Sequence, residues 1–203
     1  MVKHPAGIRT VMLLPCCLLV CGCGLLGIGR RDPRELASPL PDVRREALLT
    51  LSESGVDSAP IIVQYLVADE DALVRATAAV IIGDFNWREG VPQLVRAVQE
   101  DPSPIVRTDA CEALGKIQDV QSGPALAVAL RDPNEGVRRA AASALAKVGE
   151  RATIPALVNA LEDEDYGVRL AACAALAVMT GQNLPPRKTA WEEWLAANRG
   201  PNQ

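Results

Sequence analysis

Histidine and aromatic side chains are scarce in this chain. Its 203 residues include one histidine (His4), three tryptophans, two tyrosines and one phenylalanine. Because no histidine lies beyond residue 4, catalytic triads with a histidine base and metal sites with histidine ligands are excluded from the rest of the chain. At 49% hydrophobic residues the chain is too apolar for a disordered polymer. Alanine, leucine and valine must therefore fill its core, which favours close helix packing over a sheet sandwich.

The first 22 residues have the pattern of an export signal. Lys3 and Arg9 precede an uncharged apolar run over residues 11–20, as in a secretory signal peptide. The sequence VCGC follows, with a small glycine directly before Cys23. This segment resembles a bacterial lipobox, which implies removal of residues 1–22 and a lipid anchor on Cys23. Residues 23–35 would then be the lipidated cysteine and a tether.

Two other interpretations of the N-terminal segment stay open, an uncleaved membrane anchor and a soluble product. Residues 11–29 carry no charge, and this length is close to the about 20 residues of a spanning helix. Pro15 and four glycines disfavour such a helix. For a lipoprotein, Gly24 lacks the aspartate that often retains such proteins at the inner membrane. We therefore expect an exported protein that is anchored to the cell envelope, with the outer membrane favoured.

The charge balance argues against nucleic-acid binding. Removal of Lys3 and Arg9 with the leader reduces the 21 basic residues to 19, against 25 acidic residues, which gives a net charge of −6. Nucleic-acid-binding proteins usually present a basic face.

A Val-Arg dipeptide recurs five times at intervals of 31 or 32 residues, at positions 43–44, 74–75, 106–107, 137–138 and 168–169. Alanine always stands four residues after the valine, and leucine or isoleucine eight residues after it. This spacing places all three on one face of an α-helix. The first four copies are followed by a proline that can open a second helix, at positions 60, 92, 124 and 155. Each unit is therefore a first helix, a turn and a second helix, and such pairs must stack to bury their apolar faces.

The unit resembles HEAT-like repeats of the phycobilisome-lyase type, most clearly over residues 132–161. The resemblance implies an all-α fold, a right-handed α-solenoid of about five helix pairs. We place the array at residues 36–182, with units at about 36–68, 69–100, 101–131, 132–162 and 163–182. Residues 183–203 would form a C-terminal capping helix and tail, in which Trp191, Trp194 and Leu195 make an apolar edge.

An aspartate stands six residues before four of the repeat arginines, in the pairs Asp69 and Arg75, Asp101 and Arg107, Asp132 and Arg138, and Asp163 and Arg169. Aspartate is favourable near a helix N-terminus. The resemblance implies that the arginine reaches between repeats. We interpret this aspartate–arginine ladder as structural and expect no catalytic residue.

Neither the acidic runs nor the cysteines indicate a metal or disulfide site. Residues 68–72 and 162–165 lack the ligand spacing of a calcium loop, so we expect no metal and no cofactor. Cys111 and Cys173 occupy the same column two units apart, too far for a disulfide, and are expected to pack between helices.

The second helices carry the remaining surface. In related solenoids such helices line the concave side, where the residues four after each proline would form a row: Gln64, Arg96, Val128 and Asn159. Gln93, directly after its proline, lies beside them. This second-helix row has no acid–base pair, so it suits a protein or peptide better than a reaction. A solvated face without a partner is the alternative, and the loop at residues 84–90, with Phe85 and Trp87, is the next candidate surface.

These observations predict a membrane-anchored, monomeric, non-enzymatic scaffold that binds a protein or peptide. Some relatives attach or isomerise bilin chromophores, and others bind nucleic acid. These activities are the two alternatives.

Overall fold

The computed structural model describes residues 33–53, 55 and 58–198. Its helices are α1 (Pro33–Leu36), α2 (Pro41–Ser52), α3 (Ala59–Ala68), α4 (Ala72–Asp84), α5 (Val91–Glu100), α6 (Pro104–Ile117), α7 (Gly123–Ala129), α8 (Glu135–Val148), α9 (Ile154–Ala160), α10 (Tyr166–Thr180) and α11 (Lys188–Ala197). Short 3₁₀ turns precede α5, α7 and α9, and the described residues contain no strand. The predicted all-α solenoid is confirmed.

The predicted signal sequence at residues 1–22, the lipidation site Cys23 and the tail after residue 198 lie outside the described residues. Of the helices described, none has both the length and the apolar character to cross a membrane. At the end of the expected tether, α1 is a short helix, and the Tyr65 hydroxyl donates a 2.6 Å hydrogen bond to the Leu36 carbonyl. Leu36, the first residue of the expected array, is thus hydrogen-bonded to α3.

Five helix pairs stack along the array. The first helices are α2, α4, α6, α8 and α10, and each is followed by its second helix, α3, α5, α7, α9 or α11. The fourth pair shows how the sequence sets the boundaries. Asn134 caps α8 by accepting hydrogen bonds from the N–H groups of Gly136 and Val137. Gly149 ends it in the left-handed conformation, at a φ of 73°.

The core lies between the first and second helices. The valine, alanine and leucine or isoleucine columns are completely buried in the last four pairs: Val74, Ala78, Ile82, Val106, Ala110, Leu114, Val137, Ala141, Leu145, Val168, Ala172 and Leu176. The first pair differs, because Leu48 is completely buried while Val43 and Leu51 are only partly buried. This agrees with its position at the end of the stack.

Neighbouring first helices are in very close contact. A β-carbon at Gly83 of α4 would lie 2.6 Å from the Ala113 Cα of α6, and one at Gly115 of α6 would lie 3.0 Å from the Ala144 Cα of α8. Only glycine permits this approach at Gly83. The small residues of the repeat therefore set the spacing of the first helices.

The last helix, α11, occupies the second-helix position of the fifth pair. Its Trp191 is completely buried, and α11 packs against α9. Trp194 contacts Trp191 edge-on, with ring centres 6.1 Å apart, and Leu195 is partly buried against the core.

Candidate functional site

Four arginine–aspartate pairs connect the turns between successive helix pairs. In each, the arginine Nε and Nη2 groups donate to both oxygens of an aspartate carboxylate over 2.7–2.9 Å. The pairs are Arg44–Asp69, Arg75–Asp101, Arg107–Asp132 and Arg138–Asp163. Such bidentate pairs are strong and fix the orientation of both groups.

The charged partner of each arginine is the aspartate that begins the next unit. Arg107, for example, pairs with Asp132, while its Nη1 donates to the main-chain carbonyl of Asp101 over 2.9 Å. The aspartate six residues upstream is thus contacted only through its main chain. Arg44 belongs to the ladder as well. Ser38 stands six residues before it in place of an aspartate, so the predicted ladder did not include Arg44, although its place in the Val-Arg column signalled this role.

The paired ladder side chains are largely buried, and two of the aspartates have a shifted pKa. Burial alone would raise the pKa of Asp132 and of Asp163. Hydrogen bonds from the paired arginine and from a backbone N–H two residues ahead outweigh this effect and hold both pKa values below the ordinary range. The side chains of Arg138 and Asp163 are 8% and 11% exposed. With their charges neutralised and both carboxylate oxygens hydrogen-bonded, these groups are structural.

Arg169 ends the ladder without a charged partner among the described residues. Its Nη1 donates to the main-chain carbonyls of Asp163 and Glu164 over 2.7 and 2.9 Å, and its guanidinium carbon lies 5.5 Å from the Tyr166 ring centre. The last arginine of the column is therefore held in place but makes no ion pair there.

The acidic runs supply ladder aspartates and helix caps. Asp71 accepts hydrogen bonds from the N–H groups of Leu73 and Val74 at the start of α4, and Asp165 accepts one from Val168 at the start of α10. Over residues 33–53, 55 and 58–198, no three histidine, cysteine, aspartate or glutamate side chains are grouped to hold a metal ion.

The two described cysteines are free thiols. Cys111 is completely buried, and burial raises its pKa to about 12. A thiol with this pKa is protonated at neutral pH and is not a nucleophile. Cys173 is partly buried and packs against the core.

The second-helix row lies on the surface, as the pattern required. Gln64, Arg96, Val128 and Asn159 are all exposed. Gln93 is half-buried, and its Oε1 has no hydrogen-bond partner among the described residues. The row thus presents amides, one arginine and one aliphatic side chain.

Open grooves separate the second helices. One of about 300 Å³ lies between α3 and α5 and is lined by Leu66, Val67, Gln93 and Arg96, together with the ladder residues Asp69, Arg75 and Asp101. A second of about 440 Å³ lies between α7 and α9, beside Asn159. A third of about 430 Å³ includes Val128. Gln93 and three of the four residues of the second-helix row therefore line grooves.

The first helices approach until no β-carbon fits at Gly83, whereas grooves remain between the second helices. That the second helices line the concave side stays a prediction.

Two further surface features lie outside the second-helix row. In the loop after α4, Phe85 is 46% exposed, while Trp87 stacks on it at 5.3 Å and is buried. On α6, Asp109 is half-buried, and its pKa is raised to about 6, mainly by burial and further by Glu112, while Lys116 acts in the opposite direction. Asp109 belongs to no repeat column, so no sequence pattern pointed to it.

Comparisons with known proteins agree with this geometry. The fold is similar to that in the structure of the complex of CpcE and CpcF of phycocyanin lyase from Nostoc sp. PCC7120, with 20% identity and a TM-score of 0.64 over 86% of this chain and 74% of that chain. Two engineered proteins are also similar. One has 22% identity and a TM-score of 0.56, over 72% of this chain and 76% of that one. The other has 21% identity and a TM-score of 0.55, over 84% and 90%.

A search of curated proteins finds no match. The family model for HEAT repeats matches residues 59–136 and 123–190, more than half of the sequence. The recurring Val-Arg helix, the aspartate–arginine ladder and the stacked helix pairs are thus those of a HEAT repeat protein, and the chain belongs to the HEAT repeat family.

Proposed function

We propose that this chain is a non-enzymatic scaffold that binds a protein partner through the second-helix row. The observation that carries the proposal is the contrast between the ladder, whose carboxylates are already paired, and the grooves that separate the second helices. The similar phycocyanin lyase structure is a complex between two chains, CpcE and CpcF, which also supports a protein as the partner.

The chemistry of the row suits an extended segment of a partner. Val128 is 63% exposed beside its groove and offers an apolar contact. The amides of Gln93 and Asn159 can hydrogen-bond a main chain. Arg96 forms an exposed pair with Glu100 over 2.8 Å. Because an exposed pair contributes little stability, Arg96 can exchange Glu100 for a partner carboxylate at small cost.

The proposed location is the cell envelope, through a lipid on Cys23, with the outer membrane favoured. The support is the apolar run and the VCGC sequence of residues 20–23. Replacing Cys23 by alanine should abolish lipid labelling and leave an unprocessed precursor. Unchanged labelling would rule out the lipobox.

A photo-crosslinking residue placed at Val128 tests the proposed binding surface in intact cells. We expect it to capture one defined protein, and the same residue at the exposed Lys147 of α8 to capture none. The double change Arg96→Glu and Asn159→Glu should abolish the capture without changing the melting temperature. Arg139→Glu, an exposed charge reversal on a first helix, is the matched control. Equal loss in both variants would mean that net charge, and not the row, governs binding.

A bilin-handling role is the second candidate, and fold similarity to the phycocyanin lyase structure is its support. A bilin mixed with the purified chain should keep its free absorbance spectrum if the scaffold proposal is correct. A saturable spectral shift would favour the second candidate.

A further inference from the structure

The last first helix, α10, exposes apolar side chains where α6 and α8, the two first helices before it, are polar. Leu170, Ala174 and Val178 lie four residues apart on one face, and Leu170 and Val178 are 57% and 70% exposed. The equivalent side chains are Thr108, Glu112 and Lys116 in α6, and Arg139, Ser143 and Lys147 in α8.

Leu170 is the first residue of this face. In the interior of the array, the residue at this position contacts the next first helix. A β-carbon at Gly136 of α8 would lie 3.8 Å from the Thr108 Oγ1 of α6, and one at Gly167 of α10 would lie 3.2 Å from the Arg139 Nη1 of α8. Leu170 is the equivalent of Thr108 and Arg139. The end unit of a repeat array normally presents a polar outer face, so an exposed apolar stripe here marks an interaction surface.

Arg169 lies at the same edge and offers a positive charge to a carboxylate of a partner. Each earlier repeat arginine pairs with an aspartate that stands five residues before the next repeat valine. After α11 the chain has Asn198 in the C-cap position that Asp69 and Asp101 occupy after α3 and α5. Because asparagine is neutral, Arg169 has no carboxylate partner among residues 33–53, 55 and 58–198, unlike its predecessors.

We propose that Leu170, Ala174, Val178 and Arg169 form a docking site for a repeat-type helix of another protein. The occupant has an aspartate in the turn before its helix, for Arg169, and small residues four apart, for the apolar stripe. A second copy of this chain does not fit this description at its own N-terminal end. Its first pair has Ser38 in the aspartate column, and the acidic side chains of Asp42 and Glu46 stand where α8 has Gly136 and Ala140.

The probe is a fluorescent peptide with the sequence of residues 132–148 of this chain. It carries Asp132 and the small residues Gly136, Ala140 and Ala144, which face α6 in the array. Anisotropy with the full chain should show saturable binding. The double change Leu170→Lys and Val178→Lys should weaken binding by about tenfold or more, and Arg169→Gln by about fivefold. Val120→Lys, at a position that is 55% exposed in the turn before α7 and outside both proposed surfaces, should leave it unchanged.

A second peptide, with Asp132→Asn, separates the ion pair from general attraction. It should bind the wild type more weakly, and Arg169→Gln should weaken it no further. Unchanged melting temperatures show that the variants are folded. Failure of the first peptide to bind, equal binding by all variants, or equal losses with Val120→Lys would overturn the proposal. Sedimentation that shows a dimer disrupted by Leu170→Lys and Val178→Lys would overturn it too, because the occupant would be a second copy.

Discussion

The first and second helices of the same repeats differ in how much of their surface is already used. The first helices approach so closely that a β-carbon at Gly83 would lie 2.6 Å from a neighbouring Cα, and they carry the arginines of the ladder. The second helices leave grooves of about 300 to 440 Å³ between them. Within the same repeats, the first helices thus hold the stack together, whereas the second helices keep an accessible surface.

Residue size explains the difference between the rows. The faces of the first helices that meet carry alanine and glycine, as at Ala113, Gly115 and Ala144, so backbones come close. The arginine–aspartate pairs of the ladder then hold the turns next to these helices in place. The second helices have no such run of contacts, and their exposed residues differ between copies. Four predictions test this division, beginning with the ladder.

The largest effect should come from removing a ladder arginine. Arg138→Ala leaves the buried Asp163 carboxylate without its charged partner, which should lower the free energy of unfolding by about 3–5 kcal/mol. Arg96→Ala removes the exposed pair with Glu100 and should cost less than about 1 kcal/mol. Urea unfolding of both variants measures the difference. Similar costs would contradict the division between the two rows.

Truncation of the buried column should have the next largest effect. Leu145 is completely buried, so Leu145→Ala should cost about 2–5 kcal/mol through lost contacts and a cavity. Val128→Ala, at an exposed position, should stay within about 0.5 kcal/mol, and so should Gln93→Ala. Thermal and urea denaturation check both values. A large loss at Val128 would show that the second-helix row contributes to packing.

Substitutions at two glycines of the first helices test whether the close approach of these helices requires glycine. Gly83→Ala places a methyl group against the backbone of α6, which should cost about 1–3 kcal/mol. At Gly115 the same atom would lie 3.0 Å from the Ala144 Cα, so Gly115→Ala should cost less. If denaturation shows a larger loss of stability for Gly115→Ala than for Gly83→Ala, close approach does not determine the cost of the added methyl group.

The sequence predicts the columns of this fold well, because burial repeats with the period of the helix. Val137, Ala141 and Leu145 were assigned to one buried face and are all completely buried. It does not predict which aspartate each arginine contacts. That partner, 25 or 26 residues away, depends on how the turns stack and not on spacing along one helix. The grooves between the second helices are likewise a property of the stack.

The smallest effect concerns Asp109, a carboxylate on a first helix that the ladder does not use. Burial raises its pKa from 3.8 to about 6, so the folded chain binds this proton more tightly than the unfolded chain. The stability that this proton contributes is present below about pH 3.8 and is lost as the pH rises through about 6. Asp109→Asn cannot lose a proton, so at pH 7 it should be more stable than the wild type by about 1 kcal/mol, an amount reduced by solvent screening. At pH 4 the two proteins should be equally stable.

Because the ladder is unchanged between the two proteins, the difference between their unfolding curves isolates Asp109. A constant difference at both pH values would mean that side-chain packing, and not ionisation, is responsible.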